Sequence, residues 1–503
     1  MGLPSHKTNL AKQNPAGVYV RHRPETTLLY QIVREYWPEF QAELANHGKT
    51  LPTYVRNEFD EYLKCGRLEH GFLRVRCESC HDEKLVAFSC KRRGFCPSCG
   101  ARRMADSAAL LVDDILPHQP MRQWVLSVPF PLRFLFASRP DVMGKVLGIV
   151  YRTIATHLTH KAGYTKISSQ TGAITLIQCF GGALNLNVHY HILFLDGVYF
   201  VDKYGISRFR RVKAPTIDEL AKLTHTIAHR VGRYLERRGL LERDGGNTYL
   251  TQEAVVISDE DPSSQLFGSS ITYRIAVGPQ QGRKVMTLQT LPDCGDDPFT
   301  TRVGNVAGFS LHAGVATKTN ERAKLERLCR YITRPAISMK RLSLTRNGQV
   351  RYELKTPWRN GTTHVIFEPL DFISRLVSLI PKPRVNLTRF HGIFAPNSKY
   401  RALVTPSKRG KGNKVKTPQE AQDQTPAEKR ASMTWAKRLK RVFNIDIETC
   451  CECGGDVRII ASIEDPAVIQ KILAHLDDNA TSAVTALLPD CRASPNPPMG
   501  LFT

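Results

Sequence analysis

Two cysteine pairs, Cys77/Cys80 and Cys96/Cys99, stand fifteen residues apart, and their spacing sets the first limit on folding. Two intervening residues let both sulfurs of a pair turn inward, and four thiolates close a tetrahedron around Zn2+. The segment is therefore expected to fold back on itself as a structural zinc site, the alternative being packed, reduced thiols. Cys65, His81 and Cys90 lie nearby as alternative ligands or packed neighbours. A third pair, Cys450/Cys453, supplies half of a further zinc site, with Cys451 and Cys491 as candidates to complete it. The 13 cysteines are odd in number and gathered in short clusters, which suits metal thiolates in a reducing compartment better than a disulfide framework.

Arg92, Arg93, Arg102 and Arg103 surround the knuckles, with Lys91 beside them, and a zinc-ordered loop of this charge is suited to clamping phosphates. The whole chain has a formal net charge of +25 over 503 residues, so nucleic acid is the expected partner. No run approaches the roughly 18 continuous apolar residues of a membrane helix. The opening MGLPSHKTNLAKQNP lacks the apolar core of a signal peptide, and a cytoplasmic location is expected.

Length alone calls for two or three domains. After a polar tail (1–24), helical spacing covers Glu25 to Asn46, Tyr54 to Leu63 and, beyond the cysteines, Arg102 to Leu116. Strands are expected at Gln123 to Pro129, Ala173 to Phe180 and Leu184 to Leu195, and helices at Asp141 to Leu158 and Thr216 to Leu241. About 242–300 is rich in Gly, Asp, Pro and Ser and reads as a loop-rich insertion. Gly308 to Val315 reads as a strand, Asn320 to Arg334 as a helix stopped by Pro335, and Arg346-Asn347-Gly348-Gln349 as a hairpin turn. Mixed elements without a βαβ rhythm favour an α+β fold with a largely antiparallel sheet. The expected units are a helical and zinc-binding domain (25–117), a main domain (118–396), a basic linker (397–430) and a small C-terminal unit (431–503). That last unit holds an amphipathic helix at Trp435 to Phe443, a strand at Val457 to Ile463 and a helix at Pro466 to Leu476.

In LNLNVHYHILFLDG, Leu186, Val188, Tyr190, Ile192 and Phe194 alternate with Asn185, Asn187, His189 and His191. A strand would bury the first set and place both imidazoles on the opposite, polar face, the geometry of a shared metal or of two solvent-facing histidines. In LERLCRYITRP, Leu325, Leu328, Cys329 and Ile332 form the apolar stripe of a helix, and Tyr331 lies off it, on the side of Lys324 and Arg327. Two cations beside a phenol can hold a phosphate and favour the phenolate, whereas packing at the edge of the core needs no such chemistry.

The segments FSCKRRGFCPSCGARRMAD, RQWVLSVPFPLRFLFA, LNLNVHYHILFLDGVY, RLCRYITRP, TTHVIFEPLDFISRL and CCECGGDVRIIASIEDP occur in this order. Together they resemble the rolling-circle insertion-sequence transposases of the HUH superfamily, in particular the single-tyrosine branch associated with common-region elements. In two-tyrosine relatives the pair is spaced four apart on this helix; here Arg327 fills the earlier place and Tyr331 the later. The resemblance implies an HUH-endonuclease domain with an antiparallel sheet flanked by helices, preceded by a helical, zinc-ribbon domain. It implies Mg2+ or Mn2+ on His189 and His191, a third ligand for which Gln178 and His312 are candidates, and Tyr331 as nucleophile. The activity implied is metal-dependent nicking and strand transfer of single-stranded DNA at element ends and targets through a 5′-phosphotyrosine, mobilising an insertion sequence. No small-molecule substrate is implied, and a homo-oligomer is compatible with it. The competing readings are a plasmid-type rolling-circle replication initiator, a non-catalytic zinc-ribbon nucleic-acid-binding protein, and a transposase working through three carboxylates and two metals.

Overall fold

The computed structural model describes residues 23–408, 441 and 448–480, apart from 203, 205–206, 245–246, 252–253, 255–260 and 292–302. The N-terminal tail up to residue 22, most of the expected linker, the helix expected at Trp435 to Phe443 (save residue 441) and Cys491 lie outside the described residues. The described chain divides into two compact units, one formed by Gly66–Phe88 with 448–480, the other by Pro24–Cys65 with 89–408.

The larger unit is built on a seven-stranded sheet. Its strands run Val303–Val306, Phe309–His312, Met121–Ser127, Leu186–Leu195, Gly172–Phe180 and Thr388–Gly392 in spatial order, with Ala316–Thr317 also against Met121–Ser127, and every neighbouring pair is antiparallel. One face carries Val188, Tyr190, Ile192 and Phe194 into a core with the helices Phe130–Ser138, Pro140–Lys161 and Ile217–Arg237. Thr216 starts the last of these with a capping box, its hydroxyl accepting from the Glu219 N–H while the Glu219 carboxylate accepts from the Thr216 N–H. The other face is covered too: Met121, Ile174, Leu176, Leu193 and Leu195 pack against Leu325, Leu328, Cys329 and Ile332 of the helix Arg322–Ile332.

A second core joins the helices Leu28–Asn46 and Thr53–Lys64 to a four-stranded antiparallel sheet and the helix Pro369–Ser378. Trp37 stacks on Phe59 at 3.9 Å between ring centroids, and Phe95 fits against Phe59 and Tyr62 at 4.7 and 4.9 Å. Such contacts add about 0.5–1.5 kcal/mol each beyond area burial, and they root the loop before Cys96 in the helical layer. The hairpin at Asn347-Gly348 forms as its turn residues predict, joining Leu342–Leu344 to Val350–Glu353 with Gly348 at φ +79°.

The region expected as a loop-rich insertion is more ordered than its composition implies. It contains the helix Ser263–Ile271, whose Leu266, Phe267 and Ile271 are buried, and the strand Met286–Gln289, which pairs with Thr362–Phe367. Elements this short, separated by Gly and Pro, are too brief to leave a periodic signal.

Candidate functional site

His189 and His191 sit on the strand Leu186–Leu195, two residues apart and on one face as the alternation requires, with their Nε2 atoms 3.2 Å from each other. That face is not the polar one expected. Leu193 and Leu195 continue it into an apolar layer under the helix Arg322–Ile332, and His191 is buried. The strand is covered on both sides, for which its apolar run Ile192–Leu195 is the sequence sign.

The hydrogen bonds fix how the rings point. His189 Nδ1 donates to the Asn187 carbonyl at 2.8 Å, which leaves its Nε2 as a lone pair. His191 Nδ1 lies 2.6 Å from the side-chain amide of buried Gln123. The Gln123 amide nitrogen faces the ring, and among the described residues its Oε1 has no partner. The two amide atoms are interchangeable by a flip, which lets Oε1 accept from Nδ1–H and frees Nε2 of His191. Two lone-pair nitrogens at this separation repel each other unless a cation lies between them. Adjacent corners of an octahedron with bonds of about 2.1 Å are about 3 Å apart, so the pair fits one divalent ion. Burial pulls His189 down to about 4, with Arg334 and Arg133 adding to the effect against the Asn187 bond. Burial, then His189 and Arg334, carry His191 well below the usual range. Both rings are therefore neutral near pH 7, the state in which imidazole binds metal.

Tyr331 is the penultimate residue of the helix Arg322–Ile332, and its ring stands perpendicular to that of His191 at 6.5 Å between centroids. The helix is anchored at its start by Arg322, which donates to the carbonyls of Val112, Leu116 and Pro117. The flanking cations are not those expected from helical spacing. Arg334 lies 4.3 Å and Lys355 4.4 Å from the centre of the Tyr331 ring, and Arg334 also donates to the Tyr331 carbonyl at 2.9 Å. Lys324 instead pairs with Glu321 at 3.4 Å, and Arg327 is exposed. Burial lowers the Arg334 guanidinium from its ordinary value, with the Tyr331 phenol opposing.

Gln178 lies directly opposite His189 in the sheet register and is buried. Its amide N–H donates to the Ile332 carbonyl at 2.5 Å, while Oε1 has no hydrogen-bond partner among the described residues. His312 is two strands away, opposite Val125, with its ring against Gly314.

The cysteines group differently from their spacing. Cys96 and Cys99 join Cys65 and Cys90, not Cys77 and Cys80, which lie in the other compact unit with Cys450 and Cys453. In the first cluster Cys65 Sγ is 3.8 Å from both Cys96 Sγ and Cys99 Sγ, and Cys90 Sγ is 3.4 Å from Cys99 Sγ. A tetrahedron with Zn–S bonds of about 2.3 Å has edges of about 3.8 Å, so these four thiols fit Zn2+. Spacing was misleading because Cys65 ends the helix Thr53–Lys64 and Cys90 begins the loop, a pair joined by packing and not by a short motif. Around the cluster Arg93 donates to the carbonyls of Val385 and Lys382, and Arg103 to those of Lys91 and Arg92. Both arginines therefore brace the loop, and Arg92 and Arg102 lie beside it half-buried. Glu58 accepts from the Gly94 N–H at 2.6 Å from beneath. Sequence reasoning passed over Gln123, Arg334 and Lys355, and it held Cys65 and Cys90 as alternative ligands behind the Cys77/Cys80 pair, whereas the structure groups them with Cys96 and Cys99.

Among the described residues no helix is long and apolar enough to cross a membrane. No curated protein and no solved structure matches the chain. Two family models do: residues 32–128 match the one described as "Transposase zinc-binding domain", of the IS91 type, and residues 172–401 match the one described as "Putative transposase". The first span contains Cys65, Cys90, Cys96 and Cys99, and the second contains His189, His191 and Tyr331. The chain thus carries a transposase zinc-binding domain with a structural Zn2+ site, followed by a transposase domain.

Proposed function

We propose that the protein is a cytoplasmic HUH-type transposase that nicks single-stranded DNA with Tyr331 and transfers the strand. The observation that carries this reading is the convergence of two imidazole Nε2 atoms 3.2 Å apart with a tyrosine ring 6.5 Å from His191. His189 and His191 would hold a divalent ion, with Gln178 favoured over His312 as third ligand because its buried oxygen has no partner among the described residues and it faces His189 in register. Such an ion, Mg2+ or Mn2+, supplies Lewis-acid polarisation of a scissile phosphate.

The phenol oxygen of Tyr331 attacks phosphorus, a P–O bond to tyrosine forms, and the bond from phosphorus to the 3′ oxygen breaks. The phenolic proton is lost and the departing oxygen gains one, leaving a 5′-phosphotyrosine and a free 3′-OH. Arg334 and Lys355, close over the Tyr331 ring, stabilise the negative charge that the phenol oxygen carries as it attacks. Conserved bond energy then allows rejoining at a target. The zinc domain grips phosphates through Arg92 and Arg102, with Arg93 and Arg103 bracing the loop and adding their remaining N–H donors.

An oligonucleotide bearing the element end tests this directly. Tyr331→Phe is expected to abolish the covalent protein–DNA adduct with binding retained, and His189→Ala with His191→Ala to abolish metal-dependent cleavage. An adduct that persists in Tyr331→Phe refutes the assignment.

A further inference from the structure

We propose that Cys77, Cys80, Cys450 and Cys453 bind a second structural Zn2+ and that this ion closes a zinc ribbon split between distant parts of the chain. Cys450 and Cys453 lie outside both family-model spans. Cys77 pairs with Cys453 and Cys80 with Cys450 across 376 and 370 positions, at Sγ–Sγ distances of 3.4 and 3.5 Å. All four sulfurs lie within 4.8 Å of one another, and none is in a disulfide. These distances are near the edge of a zinc tetrathiolate, about 3.8 Å.

The backbone supplies an independent argument, because both CxxC turns have the same construction. The residue after the second cysteine is left-handed in each, His81 at φ 63° and Gly454 at φ 75°. Its N–H donates to the carbonyl of the first cysteine, His81 to Cys77 at 3.2 Å and Gly454 to Cys450 at 2.9 Å. The N–H of the first cysteine returns to the carbonyl five residues on, Cys77 to Asp82 and Cys450 to Gly455, at 2.9 and 2.8 Å. Main-chain N–H groups of Ser79 and Gly455 point at the sulfurs of Cys77 and Cys453, each at 3.4 Å. A positive φ at a histidine is uncommon and costs energy, so its occurrence here is best accounted for by a turn that aims both sulfurs at one point. Each knuckle leads into the same sheet: Val457–Ile463 adds antiparallel to Phe72–Cys77, which also pairs with Glu83–Ala87. Cys451 takes no part, being exposed with the Lys84 ammonium 2.6 Å from its sulfur.

The test is metal content of the full chain. Wild type is expected to hold two zinc ions, Cys450→Ser/Cys453→Ser one, Cys77→Ser/Cys80→Ser one, and Cys451→Ser two. Cobalt substitution of the unaltered protein gives a check that needs no variant: sulfur-to-cobalt absorption per chain should correspond to two tetrathiolate sites. A single zinc in wild type, iron in place of zinc, or two zinc ions in Cys450→Ser/Cys453→Ser would overturn the proposal. None of these readouts depends on DNA cleavage.

Discussion

The side chain of Gln178 donates to the carbonyl oxygen of Ile332 at 2.5 Å, so the strand next to the histidines is tied to the residue that follows Tyr331. One amide thus reaches the helix of Tyr331 with its nitrogen, while among the described residues its oxygen has no hydrogen-bond partner. Gln178→Leu is expected to weaken Mn2+ binding about 10–100-fold and to slow adduct formation at least as much. Gln178→Glu keeps an oxygen ligand but loses the donor, leaving a buried carbonyl unsatisfied at a cost of about 1–3 kcal/mol. It should therefore bind Mn2+ at least as well as wild type yet form adduct more slowly. Wild-type Mn2+ affinity in Gln178→Leu, measured by electron paramagnetic resonance, would remove Gln178 from the ligand set.

At the far end of the histidine strand, buried Arg122 meets Asp196 through two hydrogen bonds of 2.8 and 2.9 Å and donates a third, of 2.9 Å, to the Ala313 carbonyl. Removing one partner leaves an uncompensated buried charge, so Asp196→Ala should destabilise the larger unit by about 3–5 kcal/mol. Replacing both residues with apolar ones of similar volume should recover much of that loss. Denaturant unfolding of the two variants checks the order; equal losses would mean that packing, not charge, dominates there.

Glu58 gives a pH dependence. Burial raises its carboxyl above the usual value, while the Gly94 N–H and Arg92, Arg103 and Arg93 oppose the shift without cancelling it. A carboxyl whose folded value exceeds its unfolded value favours folding while protonated, and the advantage is lost as pH rises through the folded value. Glu58→Gln retains an oxygen to accept from Gly94 and carries no charge to desolvate. Its melting temperature relative to wild type should therefore rise between pH 4 and pH 8. A relative melting temperature that falls over this range would show that the arginines outweigh burial.

Much of this arrangement could be read from residue order, and the limits of that reading are physical. The histidine strand followed from period-two alternation, the tyrosine helix from its apolar stripe, and the hairpin from Asn347-Gly348. What failed was whatever depends on non-neighbouring elements meeting. Arg334 and Lys355 reach Tyr331 from beyond its helix, where helical spacing has no say. The buried face around His191 was missed because alternation was read as one-sided burial, although Leu193 and Leu195 interrupt the polar series. The cysteine sets were misassigned because spacing finds knuckles but not which knuckle each one faces.

The antiparallel pairing of Val457–Ile463 with Phe72–Cys77 also bears on biosynthesis. During translation the hairpin 72–87 leaves the ribosome long before its third strand exists, so this sheet can be completed only after the whole transposase domain has been made. A gene copy shortened at its 3′ end would still encode His189, His191 and Tyr331, yet its product would keep an unfinished sheet edge and two unmatched thiols. A closed sheet at Phe72–Cys77 is thereby a physical mark that the strand Val457–Ile463 has been synthesised.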